Sequence, residues 1–153
     1  MDRYAIRLNE VLVDTFRSVL KVEERSIKNT EKINLSISEM HLIEAVGKGE
    51  EGRSVSEIAA ALGITLPSVT VAINKLVKKG YVRKTKSSRD GRTVLVSLTR
   101  AGKKMHAVHR HFHEQMARRA TAGFTEQEKN ILINGIEKVN AFLKQKIAEM
   151  EAS

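Results

Sequence analysis

The stretch "SVSEIAAALGITLPSVTVAINKLVKKGYV", Ser54–Val82, decides the fold. It opens on a capping box, Ser54 to Glu57, in which the hydroxyl accepts from the third helical amide and the glutamate reaches back to the cap amide. Ile58, Ala59 and Leu62 then make the inner face of a short helix. Small side chains at Ala59, Ala60 and Ala61 let a second helix come close. Gly63 supplies a tight turn, and Ile64 is expected to plug the corner. Thr65 caps the second helix, with Pro67 in its first turn, where a missing N–H is harmless. Val69, Ile73, Leu76 and Val77 recur at helical spacing and are expected to pack back on the first helix. Gly80 ends the second helix as its C′ residue. Two helices joined in this way form a helix-turn-helix, the second of which can enter the major groove of DNA.

The outward residues of that second helix suit such a role. Thr65, Ser68, Thr70, Asn74 and Lys75 are short polar or basic groups that can hydrogen-bond base edges or phosphates. Large acids are absent from the face, and the free amides at its N-terminus favour a phosphate. Next comes "YVRKTK", Tyr81–Lys86, and then "SSRDGRTVLVSLT", Ser87–Thr99. Val94, Val96 and Leu98 alternate with Thr93, Leu95, Ser97 and Thr99, which is a strand period. Asp90-Gly91 is a good hairpin turn. The hairpin is therefore a wing beside the recognition helix. Arg92 or Arg89 at its tip can enter a narrow, electronegative minor groove. Asp90 can pair with an arginine and orient its fork, since an exposed pair adds at most about 1 kcal/mol to stability.

Composition agrees. The 153 residues are 41% hydrophobic but only 4% aromatic, with no Trp, so the core must be aliphatic. A single Pro and nine Gly favour long helices, and the absence of Cys excludes disulfides and thiolate chemistry. The formal net charge is +9. From Lys78 to Arg110 eleven basic side chains face one acid, Asp90, a local excess larger than that of the whole chain. Such a patch is suited to a polyanion. The N-terminus has no apolar signal region, and no apolar run is long enough to span a bilayer, which leads to the expectation of a cytoplasmic protein with no membrane partner. With no P-loop, no G-x-S-x-G and no Rossmann glycine pattern, an enzyme is not expected. A non-specific nucleoid protein is another class that the charge allows; it would lack a sharp sequence preference.

Two further capping boxes, Ser36–Glu39 and Thr125–Glu128, open other helices. The expected order is a long helix over about 3–29, helices from Ser36, Ser54 and Thr65, two strands, a helix opened by Thr99 and ending near Gly123, and a last long helix. The fold class is mainly α, an α+β winged helix. Residues 30–100 form the winged helix-turn-helix region, and 1–29 and 101–153 the dimerisation and effector-pocket helices. Leu132, Ile136, Val139, Leu143 and Ile147 make an apolar stripe on the last helix. It is expected to pack between chains with Ile6, Val11, Val13 and Phe16, giving a homodimer whose two recognition helices lie about one DNA turn apart. Met105, Val108 and Phe112, opposite Val19, Val22, Met40 and Ile43, can line an apolar effector slot.

The segment "KGYVRKTKSSRDGRTVLVSLTRAGKKM", Lys79–Met105, resembles the wing signature of the MarR family of bacterial transcription regulators. Its parts are the helix-ending Gly80, the D-x-R turn Asp90–Arg92, and L-T-x-x-G at Leu98, Thr99 and Gly102. The resemblance covers essentially the whole chain. It implies a winged-helix homodimer that represses genes from a double-stranded palindromic operator. Within the family, "SISEMHLIEAVGK", "TLPSVTVAINKLVKKGY" and "HAVHRHFHEQM" resemble the FabT-type repressors of fatty acid synthesis. That resemblance implies no required cofactor, and as corepressor a long acyl chain delivered on acyl carrier protein. The carrier is acidic, and Arg17, Lys21, Arg25, Lys28 and Lys32 could meet it. An alternative comes from zinc-sensing relatives, which use a Glu/His/His/His set; here that would be Glu24, His41, His109 and His113. His109 and His113 do stand one helical turn apart, a zinc-ligand spacing. The competing account, a hydrogen-bonded polar layer beneath the wing, is preferred, so no metal is favoured. A MarR-type response to another small molecule or stress is the remaining alternative.

Overall fold

The computed structural model describes residues 2–30 and 32–153. The chain divides into two compact units, one ending at His109 and the other beginning at Arg110. In chain order the elements are α1 (Arg3–Lys28), α2 (Ile37–Gly47), β1 (Arg53–Ser54), α3 (Val55–Leu62), α4 (Leu66–Lys78), β2 (Val82–Lys86), β3 (Val94–Leu98), α5 (Arg100–Ala120) and α6 (Glu126–Glu151). All three capping boxes close as their sequences dictate, at Ser36/Glu39, Ser54/Glu57 and Thr125/Glu128. Helix α5 stops three residues short of the expected Gly123.

The core of the first unit is aliphatic. Met40, Leu42, Ile43 and Val46 of α2, Ile58 of α3, Val69, Ile73 and Leu76 of α4, and Val82, Val96 and Leu98 of the sheet are all buried, with Ile27 from the end of α1 and Leu35 before α2. Two helix-turn-helix expectations need correction. Ile64 does not plug the corner but is 47% exposed, and Val77 also lies on the surface. The left-handed turn at Gly63, φ +63°, carries Ile64 outward, so α3 and α4 are joined through Ile58, Ala59, Val69 and Ile73 instead. Ala59 is buried, whereas Ala60 and Ala61 are exposed.

The sheet has three antiparallel strands in the order β1-β3-β2, one more than the sequence pattern suggested. Val82 pairs with Leu98 and Lys86 with Val94 along the hairpin, while Arg53 and Ser54 pair with Val96 and Leu95. The hairpin is anchored at its base. After α4, the Gly80 amide donates to the Val77 carbonyl and the Tyr81 amide to that of Leu76, each at 3.0 Å. This Schellman closure needs the left-handed φ of +82° at Gly80. Thr99 fastens the other end: its hydroxyl donates to the Gly80 carbonyl at 2.6 Å and accepts from the Gly102 amide at 3.2 Å. A Cβ at Gly102 would collide with the Tyr81 carbonyl, so α5 can lie this close to the wing only because residue 102 has no side chain.

Lys79 ties the end of α4 to the start of α2. Its Nζ donates to the Asn34 carbonyl at 2.6 Å and to both Glu39 carboxylate oxygens at 2.8 and 3.0 Å. Burial works to raise the Glu39 pKa, but the Lys79 hydrogen bond, the Ser36 amide and the charges of Lys79 and Lys75 outweigh it and hold the carboxyl below its ordinary value. A carboxylate depressed in this way contributes stability that is complete above its unfolded pKa and is lost as pH falls through the folded one. Glu39→Gln can still close the capping box, so it isolates the charge. It should cost about 1 kcal/mol at neutral pH. Urea melts should also show a flatter acid limb for the variant below about pH 4.3.

In the second unit, α6 has no buried residue, and Leu132, Ile136, Phe142, Leu143 and Ile147 are exposed, with Val139 half-buried. A groove of about 730 Å³ is lined by Ala117, Thr121, Ala122, Leu132, Ile133 and Ile136. Among the described residues no single helix is long and apolar enough to cross a membrane.

Candidate nucleic-acid interface

Helix α4 presents its outward face beside the wing. Thr65 caps it, accepting from the Ser68 amide at 3.4 Å and donating to the Ser68 hydroxyl at 2.8 Å. The Thr70 hydroxyl donates back to the Leu66 carbonyl at 3.0 Å. All three hydroxyls thus have partners within the first turns of the helix, and each keeps acceptor lone pairs. Asn74 and Lys75 are exposed one turn further on. The Asn74 carbonyl oxygen accepts from Lys84 Nζ at 2.6 Å, which links α4 to β2. With one Oδ1 lone pair held by Lys84, Asn74 keeps its whole amino group, a donor for guanine O6 and N7 or thymine O4, but only one acceptor lone pair. Bidentate pairing with adenine needs both atoms. Lys84→Met should therefore weaken binding uniformly by one phosphate or helix-tethering charge and shift the preferred base at one symmetric position towards adenine. Sequence selection with the variant checks this, and an unchanged preference would mean that Asn74 does not read a base.

The wing tip departs from expectation in one respect. Asp90 does not hold an arginine fork. Its carboxylate accepts from the Arg92 backbone amide at 3.2 Å and from the Thr93 hydroxyl at 2.9 Å, and its carbonyl accepts from the amides of Arg92 and Thr93. The acid shapes the turn, and Arg89 and Arg92 project from it as exposed side chains. The reason is geometric: an aspartate can reach the backbone two residues on, forming an Asx-type turn. Lys75 and Lys78 of α4, Lys84 and Lys86 of β2, and Arg89 and Arg92 of the tip are all exposed, while Arg83, on the other face of β2, donates from Nε to Ser97 Oγ at 3.2 Å. The result is a positively charged, donor-rich surface with one helix and one hairpin tip projecting from it.

The residues expected to line an effector slot differ in burial. Met40 and Ile43 are sealed in the core, whereas Val22 and Val108 are exposed. Val19 is half-buried, Met105 packs on the core, and Phe112 belongs to the second unit. Helix phase explains the scatter, since residues of one apolar composition can lie on opposite sides of the same helix.

The polar layer is sharper than the sequence suggested, and its carboxylate is Glu23, not Glu24. Glu24 is exposed and pairs with Lys28 at 2.7 Å, a hydrogen bond that with the Lys28 charge holds its pKa below the ordinary value. Glu23 is only 2% exposed. Its Oε1 meets His41 Nε2 at 2.9 Å and His109 Nε2 at 2.5 Å. Glu44 Oε2 lies 3.7 Å from His109 Nδ1. The cluster thus ties α1, α2 and α5 together inside the first unit. A hollow of about 270 Å³, lined by His41, Glu44, Lys48, Arg53 and Leu62, opens beside it. His113 lies one helical turn beyond His109 on α5, in the second unit. Imidazole nitrogens and carboxylate oxygens are donor types that Zn²⁺ takes, and a carboxylate behind the far nitrogen of a ligating histidine is the usual orienting partner.

Residues 33–93 match the sequence model described as the MarR family. The HTH-type transcriptional regulator YhjH of Bacillus subtilis (strain 168) is 30% identical over 122 residues, which are 78% of this chain and 69% of the relative. The crystal structure of Streptococcus pneumoniae FabT in complex with DNA is 33% identical and superposes with a TM-score of 0.86, covering 92% of this chain and 98% of that one. The transcriptional regulator SlyA has the same fold at 14% identity, with a TM-score of 0.73 over 89% and 95% of the two chains.

Proposed function

This chain belongs to the MarR family of winged helix-turn-helix transcription regulators, and from that premise we propose that it represses genes of fatty acid synthesis as a homodimer on a palindromic operator, with a long acyl chain on acyl carrier protein as corepressor. It is a DNA-binding regulator, not an enzyme. The observation that carries the finer reading is the likeness to FabT: 33% identity along 92% of the chain, through both the wing and the helices that flank it. Dimerisation is supported by the exposed apolar side chains of α6 and, separately, by Val11, Val13 and Phe16 exposed on α1. Each would be covered by a second copy.

A second reading has its own support in Glu23, His41 and His109. In that reading zinc takes the place of the protons shared by these groups, and affinity for it falls as pH drops, because protons compete for the imidazole nitrogens. One experiment separates the two. Metal-stripped protein is titrated with a duplex selected from a random library, alone, with long-chain acyl carrier protein, or with Zn²⁺. The proposal expects the acyl carrier protein to tighten binding and Zn²⁺ to leave it unchanged. Tightening by Zn²⁺ that Glu23→Gln abolishes, with no effect of the carrier, would replace the acyl reading.

A further inference from the structure

The middle of the recognition helix carries an apolar side chain on its outward face. Val71 is 58% exposed, whereas Val69, Ile73 and Leu76 on the same helix are fully buried. At 3.6 residues per turn Val71 stands roughly opposite that buried stripe, near the line of Asn74 and Lys78. Thr70 and Lys75 flank it, and Lys84 reaches in from β2 to Asn74. A valine here gives the isolated chain nothing, being a weaker helix former than alanine and leaving its methyl groups in water.

The surface around it, cationic and rich in donors, fits the phosphates and base edges of a major groove. One apolar group is displayed in that groove, the C5-methyl of thymine. We propose that Val71 is a specificity-determining residue that packs on a thymine methyl in each half-site. The proposal rests on the DNA-binding role of the family and goes beyond it by assigning a base. Such a contact tells T·A from A·T, because the methyl lies on one side of the pair. It also disfavours C·G, because cytosine has no methyl at that position. Ile64 and Leu66 are exposed as well, but they sit at the turn and the first helical position, ahead of the polar residues that surround Val71.

The test uses full-length protein and a duplex enriched from a random library. Each thymine is replaced in turn, symmetrically in both half-sites, by deoxyuridine, which removes only the methyl. At one position the wild type should lose about fourfold in affinity per half-site, about fifteenfold for the pair, the worth of one buried methyl on each side. Val71→Ala should bind the thymine duplex less tightly by a similar factor and be indifferent to the same replacement. Alanine is the better helix former at an exposed position, and a thermal melt matching the wild type shows that the variant is folded. If every deoxyuridine costs Val71→Ala as much as it costs the wild type, the assignment is overturned while the regulator reading stands. If no duplex is enriched at all, both are overturned.

Discussion

Operator affinity should fall by about 10³ to 10⁵ when salt is raised from about 50 to about 200 mM. The cause is the exposed positive charge that α4 and the wing carry. Lys75, Lys78, Arg83, Lys84, Lys86, Arg89 and Arg92 are all exposed, and the acid among them, Asp90, is turned onto its own backbone. Each side chain that meets a phosphate releases condensed counterions. For roughly six to ten neutralised phosphates in a dimer, log K against log salt should fall with a slope of about −0.9 per phosphate. Arg92→Ala should reduce the magnitude of the slope by about one per wing and flatten the preference for A·T beneath the tip. A slope near zero in the wild type would mean that the basic run from Lys78 to Arg110 faces solvent in the complex. Equilibrium titrations at four or five salt concentrations decide it.

Gly102→Ala should destabilise the protein by about 3 kcal/mol, the upper end of overpacking penalties. The new methyl would drive into the Tyr81 carbonyl, and backbone cannot rotate away as a side chain tip can. Two further contacts would be strained with it, because the Thr99 hydroxyl bridges the Gly80 carbonyl and the Gly102 amide. Relief requires α5 to lift from the base of the hairpin, which would also re-aim the wing. Operator binding should therefore fall further than the loss of folded protein explains. Thermal melts and titrations on the same samples separate the two effects, and a melting temperature within a degree of wild type would show that α5 can shift freely.

The parts of the fold that were legible in the sequence are those written in local chemistry. A capping box involves four consecutive residues, and all three formed as read. The helix-turn-helix and the hairpin announce themselves through period and punctuation at Gly63, Gly80 and Asp90-Gly91. What was missed depends on partners distant in sequence. Strand β1 is two residues long and exists only because Arg53 and Ser54 meet Val96 and Leu95 some forty positions later. The choice between Glu23 and Glu24 is a question of helix phase: neighbours on a helix point about 100° apart, and only the position of His41 and His109 shows which carboxylate faces inward. The same ambiguity holds for apolar residues: Met40 and Val22 are alike on paper, yet Met40 is buried and Val22 exposed. Val71 had no place in the inward pattern, and that misfit was the available signal for it.

The hairpin is fixed at one end only. Gly80, Tyr81, Thr99 and Gly102 fasten its base to two helices, whereas the tip from Ser87 to Thr93 bonds chiefly within itself. Length can therefore change at the tip without disturbing the domain. One residue added to each arm extends the reach by about 3.4 Å, and two by about the width of a minor groove. An inserted pair also preserves which side chains face inward, because a strand repeats every two residues. Wing span is thus a nearly independent variable in descendants of this chain, through which the footprint on DNA could be altered in steps while the helix that reads bases stays as it is.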